Sequence, residues 1–314
     1  MNPLATIFGI GVSARNALYD SGYLKTRRLN GPVISVGNLS IGGSGKTPFV
    51  LLLGELLKAK GIPFDILSRG YGRKTHGIAM VDPAGTSHDY GDEPLLMARK
   101  LGVAVMVGED RHRAGAFAEQ RLGSQLHLLD DGFQHRALAR DFDIVLVTPE
   151  DARDRLLPSG RLREPLIALR RADAVVLTSG ASPEAFPLDG KVVWRVRRGI
   201  VLKDVPPRPV AFCSIARPQN FVLQLRTAGI EPVAEALYRD HHPYSQQDIR
   251  DLLNLRQRSE AGGFVTTEKD AVNLGAYLSA LDPIAVVPVK MTLADPANVL
   301  DTIFRVIDER RGRT

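Results

Sequence analysis

Ser40-Ile41-Gly42-Gly43-Ser44-Gly45-Lys46-Thr47 decides the reading of this 314-residue chain. It lies between an apolar run at 33–36 and a helical pattern starting at Lys46, whose Leu51, Leu52, Leu53, Leu56 and Leu57 share an apolar face. Three glycines in four positions let the backbone turn tightly enough for consecutive N–H groups to face one anion. The helix N-terminus that follows adds partial positive charge. In such a loop Lys46 reaches the β- and γ-phosphates of a nucleotide, and Thr47 offers its hydroxyl to Mg²⁺. Ser40 stands where the strict G-x-x-x-x-G-K-[ST] pattern has glycine, so the strand, loop and helix context carries the assignment against an ordinary glycine turn.

Outward from the loop, residues 31–180 alternate short β-rich runs at 64–67, 103–107, 127–129, 144–147 and 174–177 with amphipathic stretches. That alternation predicts a P-loop NTPase-like α/β core domain, a mostly parallel sheet with helices on both faces and functional residues at the strand carboxyl ends. Periodicity lapses over 181–209, with Pro183, Pro187 and Pro206-Pro207-Arg208-Pro209, apart from a strand pattern at 191–196; this is the expected linker. A smaller C-terminal α/β domain is expected over 210–314. Residues 1–30 stand apart. Leu4, Ile7, Phe8, Val12, Leu18 and Tyr19 fall near one helical face, with Arg15, Lys25, Arg27 and Arg28 towards the end, so the segment reads either as an interfacial membrane helix or as a helix packed on the core.

The formal net charge of +6 suits an anionic partner, whether nucleotide, nucleic acid or membrane surface. A single cysteine, Cys213, excludes an internal disulfide and a cysteine-based zinc cluster, consistent with a reducing compartment. No apolar run is long enough to span a bilayer. Aromatic residues make up only 6% and are not interleaved with basic ones, which argues against a nucleic-acid stacking surface.

Several stretches can carry chemistry. Asp130-Asp131-Gly132-Phe133-Gln134-His135 follows an apolar run, placing two carboxylates at a strand end where a P-loop protein organises magnesium. An Asp-Gly turn is the alternative there. Asp92, in Gly91-Asp92-Glu93-Pro94, fits a helix cap and equally a carboxylate that accepts a proton from an attacking hydroxyl. Asp240-His241-His242 lies in the second half. Adjacent histidines on a loop point apart, so a shared metal site is not expected; catalysis requires His241 to meet the first domain across a cleft. Arg69, Arg111 and Arg163 each sit beside a strand end or helix start, where arginine clamps phosphate oxygens.

Taken together, Gly37-Asn38 with the glycine loop, Ser68-Arg69-Gly70-Tyr71-Gly72, Gly91-Asp92-Glu93-Pro94, the Asp-Asp-Gly-Phe-Gln-His run, Leu162-Arg163-Glu164-Pro165, Asp240-His241-His242 and Thr267-Glu268-Lys269-Asp270 resemble the tetraacyldisaccharide 4'-kinase, or lipid A 4'-kinase, family. The motifs occur in family order from about 30 to 275. The resemblance implies transfer of the ATP γ-phosphate to the 4'-hydroxyl of a tetraacylated glucosamine disaccharide 1-phosphate, with ATP and Mg²⁺ as cofactors. It implies a peripheral monomer on the cytoplasmic face of the bacterial inner membrane, with no nucleic-acid partner.

By the same resemblance, residues Ser40, Ile41, Gly42, Gly43, Ser44, Gly45, Lys46 and Thr47 hold the nucleotide, joined by Arg111, Arg163 and Glu164. Lys46, Asp130 and Asp131 act in catalysis, Thr47 and Asp131 hold the metal, and Asp92 with His241 forms a base dyad. Two positions depart from the family pattern: Ser214 stands where glycine is usual, and Asn273 where lysine is common. The rival reading is a P-loop switch or metallochaperone. A GTPase signature fails because Lys269 and Asp270 are adjacent, and Ile41 stands where a dimeric ATPase would place a second lysine.

Overall fold

The computed structural model describes residues 3–312. The chain runs α1 (Pro3–Asp20), β1 (Val33–Asn38), α2 (Lys46–Ala59), β2 (Asp65–Ser68), β3 (Ala79–Met80), α3 (Ser87–Tyr90), α4 (Asp92–Leu101), β4 (Val105–Val107), α5 (Arg111–Leu122), β5 (His127–Asp130) and β6 (Phe142–Val147). It continues through β7 (Ala174–Leu177), β8 (Val192–Ile200), β9 (Pro209–Cys213), α6 (Pro218–Thr227), β10 (Ala234–Leu237), α7 (Gln246–Arg258), β11 (Gly263–Thr267), α8 (Glu268–Leu274), β12 (Ile284–Val287), β13 (Val289–Leu293) and α9 (Ala297–Arg311).

A nine-stranded sheet has the order β13-β8-β7-β6-β1-β5-β2-β4-β3, and a four-stranded sheet the order β10-β9-β11-β12. In the large sheet only the two outermost pairings, β13 with β8 and β3 with β4, are antiparallel. The inner strands are buried on both faces, as their near-continuous apolar runs require. Phe49, Leu53, Leu57, Leu95 and Ile303 join one face of the core, so α2, α4 and α9 cover it together. On the small sheet, Phe212, Phe264 and Leu252 pack on one side, and Phe221, Leu225 and Val265 on the other.

Two sequence expectations change here. Residues 181–209 are not simply a linker, because β8 extends the large sheet beside β7. Nor does the second unit run to the C-terminus: β13 returns one residue after β12 to pair with β8, and α9 packs on the core of the first unit. The small sheet is therefore inserted between two strands of the large one.

The site lies where β1 and β5 end side by side, Val36 being in register with Asp130. Gly37 allows this closeness, since a Cβ there would lie 2.5 Å from the Phe133 Cβ. The 155–164 segment braces the glycine loop through Ile41 N–H to the Arg161 carbonyl, 2.8 Å, and Arg163 N–H to the Leu39 carbonyl, 2.7 Å.

Candidate active site

The glycine loop opens α2 with Gly45 as N-cap at φ 88°, and no side chain caps the helix. Lys46 Nζ donates to Asn38 Oδ1 at 3.0 Å and lies 3.5 Å from Asp131 Oδ1. Arg163 grips the same aspartate with two nitrogens, 2.9 and 2.8 Å, and also donates to Asn38 Oδ1. Burial opposes ionisation of Asp131, but Lys46 and Arg163 outweigh it and hold the carboxyl well below the usual range.

Asp131 has φ 50° and lies in a turn, but not one joining two paired strands, since β1 separates β5 from β6. Its neighbour Asp130 is in the opposite condition. It is buried, accepts only from Ser68 Oγ at 3.1 Å, and leaves Oδ1 without a partner among the described residues. Burial, then the charges of Glu93 and Asp131, push its pKa up to about 7, with Lys46 working against them.

A buried carboxylate oxygen without a donor beside a second carboxylate is a group that fits a cation. No cluster of three or more His, Cys, Asp or Glu among the described residues can hold a metal by itself. That suits Mg²⁺, which keeps waters and binds through one or two carboxylates plus phosphates. The unpartnered oxygen belongs to Asp130, whereas both oxygens of Asp131, expected as the ligand, are engaged by Arg163.

Asp92 is the first residue of α4; Gly91, at φ 89°, is the N-cap. Its Oδ1 accepts from the adjacent Glu93 N–H and does not cap the helix, so the cap reading fails, while Oδ2 lies 3.0 Å from His241 Nδ1. His241 comes from the loop after β10, held by its own N–H to the Ser214 carbonyl at 3.0 Å, and has φ 56°. A non-glycine residue kept in the left-handed region costs on the order of 1–3 kcal/mol and marks a position that its surroundings over-determine. Burial lowers the imidazole pKa, but the Asp92 hydrogen bond and charge raise it by more.

A cleft of about 980 Å³ contains residues 40–47, Asp130, Asp131, Arg163, His241 and Lys269 on its walls. The two halves separated by about 200 residues of sequence thus face one space. Asp92 sits behind His241, 6% exposed and off the cleft wall. Arg69 and Arg111 line the wall; Arg111 is buried, donating to the Glu109 carbonyl at 2.8 Å, and its pKa is lowered by burial and then by Arg69. Glu164 does not line the cleft: its buried carboxylate accepts from Asn16, Gln134 and Arg171. It ties α1 to the core.

A family model described as tetraacyldisaccharide-1-P 4'-kinase matches residues 1–308. The chain belongs to the tetraacyldisaccharide-1-P 4'-kinase family. A tetraacyldisaccharide 4'-kinase of Koribacter versatilis is 52% identical, covering 99% of this chain and 100% of that one. Another of Geobacter metallireducens is 36% identical over 97% and 96%. The crystal structure of LpxK from Aquifex aeolicus in complex with ATP superposes with a TM-score of 0.80 at 36% identity, covering 97% of this chain and 98% of that one. The chain is accordingly an ATP-dependent kinase of this family with the expected α/β fold.

Sequence reasoning missed four contributors. Asn38 and Ser68 hold Lys46 and Asp130; both stood within quoted motifs and at strand ends but were given no role. Lys269 sits beside the dyad, and Arg217 lies against the glycine loop, about 3 Å from where a Cβ on Gly43 would be. The two departures from the family pattern have local work. Ser214 donates N–H and Oγ to the buried Asp270, and Asn273 joins Ser87 to the His242 carbonyl.

Proposed function

We propose that this protein transfers the γ-phosphoryl group of ATP to the 4'-hydroxyl of a tetraacylated glucosamine disaccharide 1-phosphate, working at a membrane surface. The observation that carries the reading is the shared cleft, with the glycine loop and Lys46 on one wall and His241, backed by Asp92, on another.

Backbone N–H groups of residues 42–47 and the Lys46 ammonium cradle the β- and γ-phosphates. Asn38 and Asp131 fix the lysine, and Arg163 fixes Asp131, so the cation is preorganised rather than recruited. Thr47 and Asp130, whose Oδ1 is open, would hold Mg²⁺, which would neutralise phosphate charge, with Asp131 fixed beside them by Arg163. The acceptor oxygen forms its bond to the γ-phosphorus as the bond to the β,γ-bridging oxygen breaks, and the leaving pair of electrons stays on ADP. Asp92 accepts the Nδ1 proton of His241 in a hydrogen bond, which leaves Nε2 to take the hydroxyl proton. Proton removal of this kind contributes roughly 10²- to 10⁴-fold.

An acceptor with several acyl chains, at about 0.8 kcal/mol per buried CH₂, stays in the bilayer, so the enzyme must come to it. No helix among the described residues is long and apolar enough to cross a membrane. Helix α1 has no buried residue and is held near its C-terminal half by polar bonds, Arg15 to the Gln134 carbonyl and Asn16 to Glu164. Ile7 and Ile10 stand 65% and 64% exposed, which supports docking of α1 on the cytoplasmic leaflet rather than packing on the core. Its flanking charges are less available than the sequence promised, since Arg27 pairs with Asp110 and Arg28 with Asp141. Incubation with γ-labelled ATP and the acylated disaccharide 1-phosphate, followed by separation of lipids, tests the reading; label appearing only as free phosphate would favour a nucleotide-hydrolysing switch.

A further inference from the structure

Lys269 reaches from the first turn of α8 into the gap between the two units. Its Nζ lies 3.0 Å from Glu93, 3.6 Å from Asp92, 3.9 Å from Asp240 and 3.4 Å from His241 Nε2. An ammonium group has donors and no acceptor, so the imidazole nitrogen facing it must present its lone pair. The ring proton is then on Nδ1, where Asp92 accepts it. The 3.4 Å separation is long for a hydrogen bond, and Glu93 is the firmer partner, so an incoming hydroxyl can displace Lys269 from Nε2 without freeing the lysine.

Resting on the proton-acceptor role given to His241 above, we propose that Lys269 is a positioning residue that keeps Nε2 of His241 unprotonated and correctly oriented for the acceptor hydroxyl.

The need for such a group follows from what surrounds the ring. Asp92 faces it from α4, Asp240 from its own loop with Oδ2 at 3.8 Å from Nε2, and the Tyr71 ring packs at 5.1 Å between centroids, while Glu93, also on α4, meets Lys269. Two aspartate carboxylates this close would stabilise imidazolium and disable the base near neutral pH. Lys269 is the cation that counters them, and its charge does lower the proton affinity of His241 while the aspartates raise it. The same contact ties the units together, flanked by Lys100 to Glu268 at 2.6 Å and Ser87 to Asn273 at 3.1 Å. The base and the residue that arms it thus belong to the same unit, and both meet the α4 carboxylates of the other.

The test is the pH profile of kcat/KM for full-length Lys269→Met, Lys269→Gln and Lys269→Arg, with the His241 ring titrated in each by NMR on histidine-labelled protein. Loss of the charge in Met or Gln is expected to move the acid limb, and the ring titration, upward by about one pH unit, roughly tenfold in proton affinity. Arginine should restore both. A uniform fall in kcat or a rise in KM, with the limb and the titration unmoved in Met and Gln, overturns the proposal. If methionine prevents folding, the glutamine variant and its titration decide. His241→Ala separates this idea from the reading beneath it: normal turnover there removes the proton-acceptor role itself, whatever Lys269 does.

Discussion

Replacing Ile7 and Ile10 together by serine should detach the protein from vesicles. Fully burying one such side chain is worth about 1.5–3 kcal/mol. With 65% and 64% of the two residues exposed in the free protein, docking can bury at most that share, about 1–2 kcal/mol each. The pair therefore contributes about 2–4 kcal/mol, a weakening of roughly 30-fold to several hundred-fold at 1.4 kcal/mol per factor of ten. Neither residue is buried in the fold, so stability should change little. The assay is co-sedimentation with vesicles of anionic phospholipid, read as a partition coefficient over a range of lipid concentrations. Because Arg27 and Arg28 are already paired, raising the salt concentration should weaken binding less than the double substitution does. Partitioning unchanged by the substitution would refute the docking role of α1, and partitioning abolished by salt alone would move the attraction to charge.

Other outcomes follow from the site and its supports. Asp92→Ala and His241→Ala should each lower turnover by roughly 10²-fold or more while ATP binding, measured by calorimetry, stays nearly intact. Arg163→Met removes the clamp on Asp131 and should raise the KM for ATP by roughly tenfold to a hundredfold, in line with about 1.5–3 kcal/mol for charged hydrogen bonds; an unchanged KM would contradict the clamp. Away from the cleft, the fully buried His127 joins Asp65 at 2.9 Å and Glu119 at 3.2 Å. Burial lowers its pKa, but the Asp65 and Glu119 contacts raise it above 6.5 overall, so its stabilisation is complete below 6.5 and is lost as pH rises through the folded value. Thermal unfolding should therefore show stability declining above pH 6.5 in the native chain, and His127→Gln should flatten that decline.

The glycine loop was legible because its function demands an unusual local composition, and substituting Ser40 for glycine does not disturb the strand and helix on either side. Asp130 and Asp131 were legible for the same reason, as charges directly after a buried strand. Which of them keeps an open oxygen was not, because Arg163 arrives from a segment more than 30 residues later. The return of β13 and α9 to the first unit was equally hidden. A strand pattern records which face is buried, not which partner it pairs with, and Met291 with its polar neighbours suits an edge of either sheet. Glu164 shows the opposite error: beside Arg163 in sequence it shares the motif, yet its side chain points to Asn16 and Arg171 instead of the cleft. Lys269 was in view within Thr267-Glu268-Lys269-Asp270, but its meaning depends on three carboxylates from two distant stretches, which no spacing discloses.

The most direct test of the central claim is transfer itself: purified protein with γ-labelled ATP, Mg²⁺ and the tetraacylated disaccharide 1-phosphate in mixed micelles, with Lys46→Met and His241→Ala in parallel. The account predicts a labelled lipid whose new phosphate is on the 4'-oxygen, formed by the native chain and sharply reduced in both variants. ATP consumption without a labelled lipid, or equal labelling by His241→Ala, would contradict it.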